Sequence, residues 1–244
     1  MKITFLGTGD SFGSGGRFQA CILVEPSGAR MLLDCGASSL ISMRREGIDP
    51  GTIDAVLVSH FHGDHFGGLP FLILDGQFAH RGRPLTIAGP PGIEERVRAA
   101  MEGLYPGSSS TPQPYPLAYA ELVEGRATKV AGCEVTTVRV DHSPGAQGRG
   151  YRVACGGAVL AYSGDTAWTE SLVELAAGAD LFVCEANFFE KRVPYHMTYR
   201  ALEAERERLR CGRILLTHVG PEMLAHEAES AIELARDGMV VELS

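Results

Sequence analysis

Short apolar runs separated by Gly- and Pro-rich turns dominate the first sixty positions. Residues 3–6, 20–24 and 30–33 each read as a strand, bounded by turn-forming residues. Residues 38–46 have the look of a first helix. The run Ala55-Val-Leu-Val58 is apolar at every position rather than at alternate ones, which predicts a strand covered on both faces. A strand over 85–88 and a helix over 92–104 follow, the helix carrying apolar residues at Ile93, Val97, Ala100 and Leu104.

Residues 105–119 are rich in proline and contain Ser108-Ser-Ser110, which predicts a loop too long for a plain connector. It fits a substrate lid and a surface excursion equally well. The second half repeats the first, with strands predicted over 135–140, 151–154, 159–162, 180–184, 213–216 and 239–243. Helices are predicted over 168–177, 198–210 and 225–237. No low-complexity linker and no fixed-period repeat divides the chain. Strands first and helices interleaved later predict a single domain over 1–244 of the α/β class, a four-layer αββα sandwich with two packed sheets inside and helices outside.

Composition narrows the function. At 244 residues and 45% hydrophobic, the chain can bury a core without metal or disulfide staples, so a bound metal is expected to serve chemistry. The formal net charge of −8 does not favour nucleic acid, whose binding rests on Lys and Arg neutralising phosphates. The six cysteines are scattered without a C-x-x-C pair and sit mostly in apolar runs, where a thiol behaves as a small hydrophobe. No signal-peptide apolar region and no membrane-length apolar stretch is present, so a cytoplasmic location and no membrane partner are expected.

The chemistry concentrates in Ser59-His-Phe-His-Gly-Asp-His65, directly behind the apolar strand at 55–58. Imidazole and carboxylate are the ligands that suit zinc and related divalent ions. A loop at a strand end can turn His60 and His62 one way and Asp64 and His65 another, which serves two metals more easily than one. His142, Asp165 and His218 all fall just past predicted strands, where α/β proteins collect ligands. Asp34, Ser59, Asp141 and Thr217 flank these positions and could hydrogen-bond the imidazoles from behind. The Gly7–Gly16 stretch is glycine-rich but lacks a P-loop lysine, and reads as a turn bordering the active site. His80 and His226 lie in polar surroundings and read as solvated.

This arrangement, His60-x-His62-x-Asp64-His65 followed by His142, Asp165 and His218, resembles the metallo-β-lactamase superfamily over nearly the whole chain. Phe5-Leu-Gly-Thr-Gly9, Leu32-Leu-Asp-Cys-Gly36, Asp180-Leu-Phe-Val-Cys-Glu-Ala-Asn187, His196-Met-Thr198 and Leu215-Leu-Thr-His218 are similar to its ribonuclease Z and phosphodiesterase branch. The resemblance implies that His60, His62 and His142 bind one metal, Asp64, His65 and His218 a second, and that Asp165 bridges them. It implies two divalent ions, zinc by family habit, with manganese or iron also fitting the ligand set.

Two such ions would generate a bridging hydroxide near neutral pH and clamp a phosphodiester. Asp64 would orient that hydroxide. His196 would protonate the leaving alkoxide as general acid, held by Glu185 as in ribonuclease Z. Ribonuclease Z enzymes that process transfer RNA carry a long arm between the third-motif histidine and the bridging aspartate. Residues 143–164 leave room only for a hairpin, so a small phosphodiester is the expected substrate and nucleic acid is not. The other readings the sequence allows are a lactone or β-lactam hydrolase, a ribonuclease Z-type tRNA 3′ endonuclease, and a non-catalytic binding protein on the same fold. The sequence also leaves room for a homodimer.

Overall fold

Strand β1 (Lys2–Gly7) buries every residue after its first, the mark of a strand with neighbours on both faces. The structure is a computed structural model that describes residues 1–26 and 28–244. After β1 come β2 (Cys21–Glu25), β3 (Met31–Leu33), β4 (Ala55–Leu57), β5 (Leu85–Gly89) and β6 (Leu117–Glu121). The second half supplies β7 (Thr128–Val130), β8 (Cys133–Arg139), β9 (Arg149–Cys155), β10 (Ala158–Tyr162), β11 (Leu181–Glu185), β12 (Arg213–Thr217) and β13 (Glu233–Leu234). The closing strand β14 (Val240–Glu242) returns to pair antiparallel with β1.

Two seven-stranded mixed sheets result, ordered β14-β1-β2-β3-β4-β5-β6 and β13-β12-β11-β10-β9-β8-β7. Strands β3 to β6 run parallel, and so do β10 to β13. The parallel runs carry the crossover helices α1 (Ser39–Arg45), α2 (Gly63–Phe66), α3 (Leu69–Phe78), α4 (Ile93–Leu104), α5 (Ser171–Ala176) and α6 (Tyr199–Glu205), with α7 (Pro221–Ala225) between β12 and β13.

Strand alternation explains the four layers. Ile22, Val24, Ala55 and Leu57 point inward and join Leu181, Val183, Leu160 and Tyr162 of the other sheet in one buried core. The intervening Leu23, Val56 and Val58 point outward under Met43, Leu72, Ile73 and Val97 of the helices. On the far side Phe182, Cys184 and Leu216 lie under Leu172, Leu175 and Leu202. The observed architecture is therefore the αββα sandwich. The six cysteines are all free, four of them buried. No helix among the described residues is long and apolar enough to cross a membrane.

Some elements differ from expectation. The loop over 105–119 ends early: Leu117–Glu121 is the edge strand β6, paired with β5. Its remainder lies along α4, with Ser109 Oγ on Glu102 at 2.6 Å, and the buried Tyr115 donates to the Ile73 carbonyl at 2.8 Å. That is a pinned surface excursion, with no hydrogen bond to the histidine cluster. The predicted helix over 168–177 begins only at Ser171, and that over 198–210 gives way to a 3-10 turn at Arg206–Arg208.

The predicted helix over 225–237 does not form. Helix α7 stops at Ala225, where the His226 ring donates back to the Glu222 carbonyl at 2.9 Å and stacks on Phe189 at 4.4 Å, so His226 is packed rather than solvated. Beyond it Leu234 pairs with Leu216 of β12. An open parallel edge outweighs the helical spacing that the same apolar residues also satisfy. Helix α3 escaped the sequence reading because its near-continuous apolar run has no helical period.

Candidate metal centre

The site is built where parallel strands end. After β4 the chain extends through Ser59, His60 and His62, then tightens into α2, where the His65 amide donates to the His62 carbonyl at 2.9 Å. The extended segment presents His60 and His62, and the short helix presents Asp64 and His65. The second sheet delivers His142 after β8, Asp165 after β10 and His218 after β12. His218 has a left-handed backbone at φ 56°, and so does Asp34 after β3 at φ 60°. Such conformations cost energy for residues with a side chain, and they gather where a site dictates the backbone.

All seven sequence-predicted ligands meet. His60, His62 and His142 form one group and Asp64, His65, Asp165 and His218 another, each with one donor atom per residue mutually within 4.8 Å. In the first group His142 Nε2 is 3.1 Å from His62 Nδ1. In the second, Asp64 Oδ2 is 3.0 Å from His218 Nε2 and 3.4 Å from His65 Nε2. Asp165 joins the groups, with Oδ1 3.1 Å from His65 Nε2 and Oδ2 3.5 Å from His218 Nε2 and 3.9 Å from His60 Nε2.

Whether these residues suit metal ions can be tested on their unused valences. His60 Nε2, His65 Nε2 and Asp165 Oδ1 are fully buried and make no hydrogen bond, the 3.1 Å approach of the last two lacking hydrogen-bond geometry. Buried polar atoms are rarely left so, and here three of them converge on one small volume. Imidazole and carboxylate donors in that arrangement fit two divalent ions.

The opposite edges of the His60, His65 and His142 rings face acceptors at Nδ1, which leaves Nε2 of each free for a metal. Asp34, fully buried, accepts from His65 Nδ1 at 2.7 Å, Ser59 N at 2.6 Å, Ser59 Oγ at 2.8 Å and the Tyr162 hydroxyl at 2.7 Å. Ser59 Oγ also lies 2.9 Å from His60 Nδ1. The Tyr195 carbonyl takes His142 Nδ1 at 3.0 Å, the Asn187 amide meets His218 Nδ1 at 3.1 Å, and Ser11 donates to Asp64 at 2.7 Å. Thus Asp34 and Ser59 hold imidazoles as their positions suggested. The side chains of Asp141 and Thr217 hold none. Ser11 places the Gly7–Gly16 turn at the edge of the cluster. Tyr195 gave no signal in the sequence, and Asn187 and Ser11 lie in stretches that the sequence singles out without marking them as partners of the ligands.

The charges of the cluster are complementary without metal. Burial would depress His65, but Asp165, Asp64 and Asp34 outweigh it and hold its pKa well above the usual imidazole value. His218 likewise is held at about 9, burial being overcome by Asp165 and Asp64. Asp64 and Asp165 are driven well below the carboxylate range by these imidazoles despite their burial. His60, whose burial is reinforced by His65, is pushed well down and stays neutral.

A second feature adjoins the cluster. His196 Nδ1 is 2.5 Å from Glu185 Oε1 and 3.9 Å from Asp165 Oδ2, and its ring lies 5.4 Å from that of His142. Glu185 is fully buried at the end of β11, and its other oxygen takes the Thr166 amide. Burial and the nearby Asp165 raise Glu185 to about 7. Burial disfavours a charged His196, yet the Glu185 hydrogen bond and charge raise its pKa overall. Because Nδ1 is engaged, Nε2 is the nitrogen left to exchange a proton.

The profile of the family described as anti-Pycsar protein Apyc1 matches residues 1–241. The chain belongs to the Apyc1 family. A ribonuclease Z of Mycobacterium marinum is 30% identical over 96% of this chain and 92% of its own length. The metallo-β-lactamase fold protein YhfI of Bacillus subtilis matches with a TM-score of 0.78 at 23% identity, over 98% of each chain. A diphosphatase of the PhnP family matches with a TM-score of 0.80 at 22% identity, over 100% of this chain and 98% of that one. The fold of this Apyc1 family member is thus the metallo-β-lactamase fold. Between His142 and Asp165 it builds, beyond a short turn, only the β9–β10 hairpin.

Proposed function

We propose that the chain is a binuclear metal-dependent phosphodiesterase that opens a cyclic nucleotide or a similarly small phosphodiester. The observation that carries this reading is the junction made by Asp165, whose oxygens approach both donor groups while the His196–Glu185 pair stands beside them. The kinship with an anti-Pycsar family, whose members degrade cyclic nucleotides, and with a PhnP-family diphosphatase supports the substrate class. His60, His62 and His142 would hold one ion, Asp64, His65 and His218 the other, and Asp165 both. The soft–hard balance of this donor set favours zinc.

Two divalent ions held there would supply an acidified water and would neutralise charge developing on the phosphoryl oxygens. Asp64, fixed by Ser11, orients the attacking oxygen. Glu185 keeps His196 protonated, and His196 gives its Nε2 proton to the departing ribose oxygen as the ester bond breaks, leaving a phosphomonoester. A proton donor matters more for an alkoxide than for the leaving group of a strained lactam or lactone. This favours phosphodiesters over carboxylic substrates. A hairpin in place of an arm between His142 and Asp165 supports a small substrate over a folded RNA.

The test is turnover by metal-replete protein on 3′,5′-cyclic mononucleotides, bis-p-nitrophenyl phosphate, a lactone, a β-lactam and a precursor transfer RNA. Cyclic nucleotides should be opened with about two ions bound per chain by elemental analysis. Turnover of the carboxylic substrates alone, or efficient site-specific cleavage of the transfer RNA, would overturn the reading.

A further inference from the structure

Arg149 opens β9 directly opposite Arg139 of β8. Like charges in that relation repel and are normally relieved by an acid. Arg139 is exposed and has Glu124 at 3.8 Å. Arg149 is only 5% exposed and its Nε is fully buried without a partner, while its terminal nitrogens line a cavity with no hydrogen bond or ion pair among the described residues. Burial and Arg139 both push its pKa down.

The molecule contains its own control. Arg81 is equally buried, yet its guanidinium donates to the carbonyls of Arg83, Pro50, Ile53 and Pro84. Arg149 is therefore not buried for want of a way to satisfy an arginine. A guanidinium so largely withdrawn from water and left without an acid or carbonyl is costly unless an anion or ordered water meets it.

A cavity of about 310 Å³ lies at this point, lined by Arg139, Arg149, Gln147, His142 and Ser143. It shares a wall with the histidine cluster, since His142 Nε2 is 3.1 Å from His62 Nδ1 and Ser143 Oγ is 3.5 Å from His62 Nε2. A guanidinium presents a planar fork of donors that matches an oxyanion, and two of them face a doubly charged one best.

We propose that this cavity is an oxyanion subsite that binds a phosphoryl group through Arg149 and Arg139, beside the proposed metal pair and separate from it. The same chemistry could be met by free phosphate or by a phosphoryl group carried on a larger ligand.

Thermal unfolding and calorimetry of metal-replete protein with inorganic phosphate, at constant ionic strength, test it. Phosphate at tenfold its dissociation constant should raise the unfolding midpoint by about 3–5 °C. Arg149→Met should keep its metal content, unfold at a higher temperature than wild type without phosphate, and lose most of the phosphate effect. An equal phosphate effect in Arg149→Met would mean binding at the metal centre alone and would overturn the proposal.

Should Arg149→Met not fold, the exposed Arg139→Gln decides. Phosphate affinity should fall about fivefold, and an unchanged affinity overturns the proposal as well. A titration with a nucleoside 5′-monophosphate separates the sources. Tighter binding than phosphate, with the same dependence on Arg149, means a ligand-borne group, whereas binding of phosphate only means a site for the free ion. These readouts are of binding, so they stand or fall apart from the hydrolytic reading.

Discussion

His196 is useful for what its neighbour prevents. With Nδ1 held by Glu185 at 2.5 Å, the ring is anchored and its other nitrogen is the one left to exchange a proton. His196→Ala should keep both metals yet lose about 10²–10⁴-fold in rate on a substrate with a poorly leaving alkoxide. With p-nitrophenolate, which hardly needs a proton, the loss should be much smaller. An equal loss on both substrates would assign the residue to substrate binding instead. Because His196 is raised above the ordinary imidazole value and must be protonated to act, the wild-type rate on the poor leaving group should fall as pH climbs through that raised pKa, and this limb should vanish in the variant. Asp34 works at one remove, through His65 and Ser59. Asp34→Asn should weaken metal binding about 10–100-fold, read by competition with a chromogenic chelator. The motif residues were legible because their chemistry is unusual and their spacing tight. Asn187 and Ser11 were not, since an amide or hydroxyl in a loop looks the same whether or not a ligand stands opposite.

At the scale of elements, the site depends on how closely its supporting loops approach. A Cβ on Gly36 would lie 2.2 Å from the Asp64 carbonyl oxygen and 2.8 Å from Gln19 Cβ. Gly36→Ala must push α2 aside, so it should cost metal from the Asp64 and His65 side first, with about one ion left by elemental analysis. Full occupancy would show the backbone relaxing without moving these side chains. Strands such as Ala55–Leu57 could be read from sequence because apolar runs bounded by turns have few other uses. Residues 225–237 could not, because Ala228, Ala231, Ile232 and Ala235 have helical spacing while Ile232 and Leu234 alternate as in a strand, and only the free side of β12 chooses between them. Likewise the edge strand β6 hides within a proline-rich stretch whose turn signals overwhelm it.

At the scale of the molecule, one buried cluster draws on both sheets, from Ile3 and Val24 to Val183 and Leu215. We propose that the two halves form one cooperative unit, so metal-replete protein should unfold in a single transition by circular dichroism and by tryptophan fluorescence of Trp168. Two separated transitions would mean two units. Chelated protein should show a particular pH dependence. His218 is held at about 9 in the fold against 6.5 for a free imidazole. Its contribution is complete below pH 6.5 and is lost as pH rises through about 9, so stability should decline over that window. If His218 is a ligand, metal would replace the proton on its Nε2, so loading should flatten the decline and release protons on binding. An unchanged alkaline slope after loading would count against His218 as a ligand. The sandwich as a whole was legible from sequence because its strands come in apolar runs with helices between them. Which loops meet at the strand ends was legible only through the family resemblance, since no local pattern encodes the distance from His65 to Asp165.

That the proposed ligands come from both sheets has a consequence for how the protein is made. Four of them, His60, His62, Asp64 and His65, lie on the first half of the chain, and His142, Asp165 and His218 follow well behind. A nascent chain that has folded β1 to β6 holds a partial set, without the aspartate that joins the two groups. On the proposed ligand set, tight capture of two ions would wait for the second sheet to close over the first. On that reading, chains interrupted during synthesis would lack the complete binuclear site.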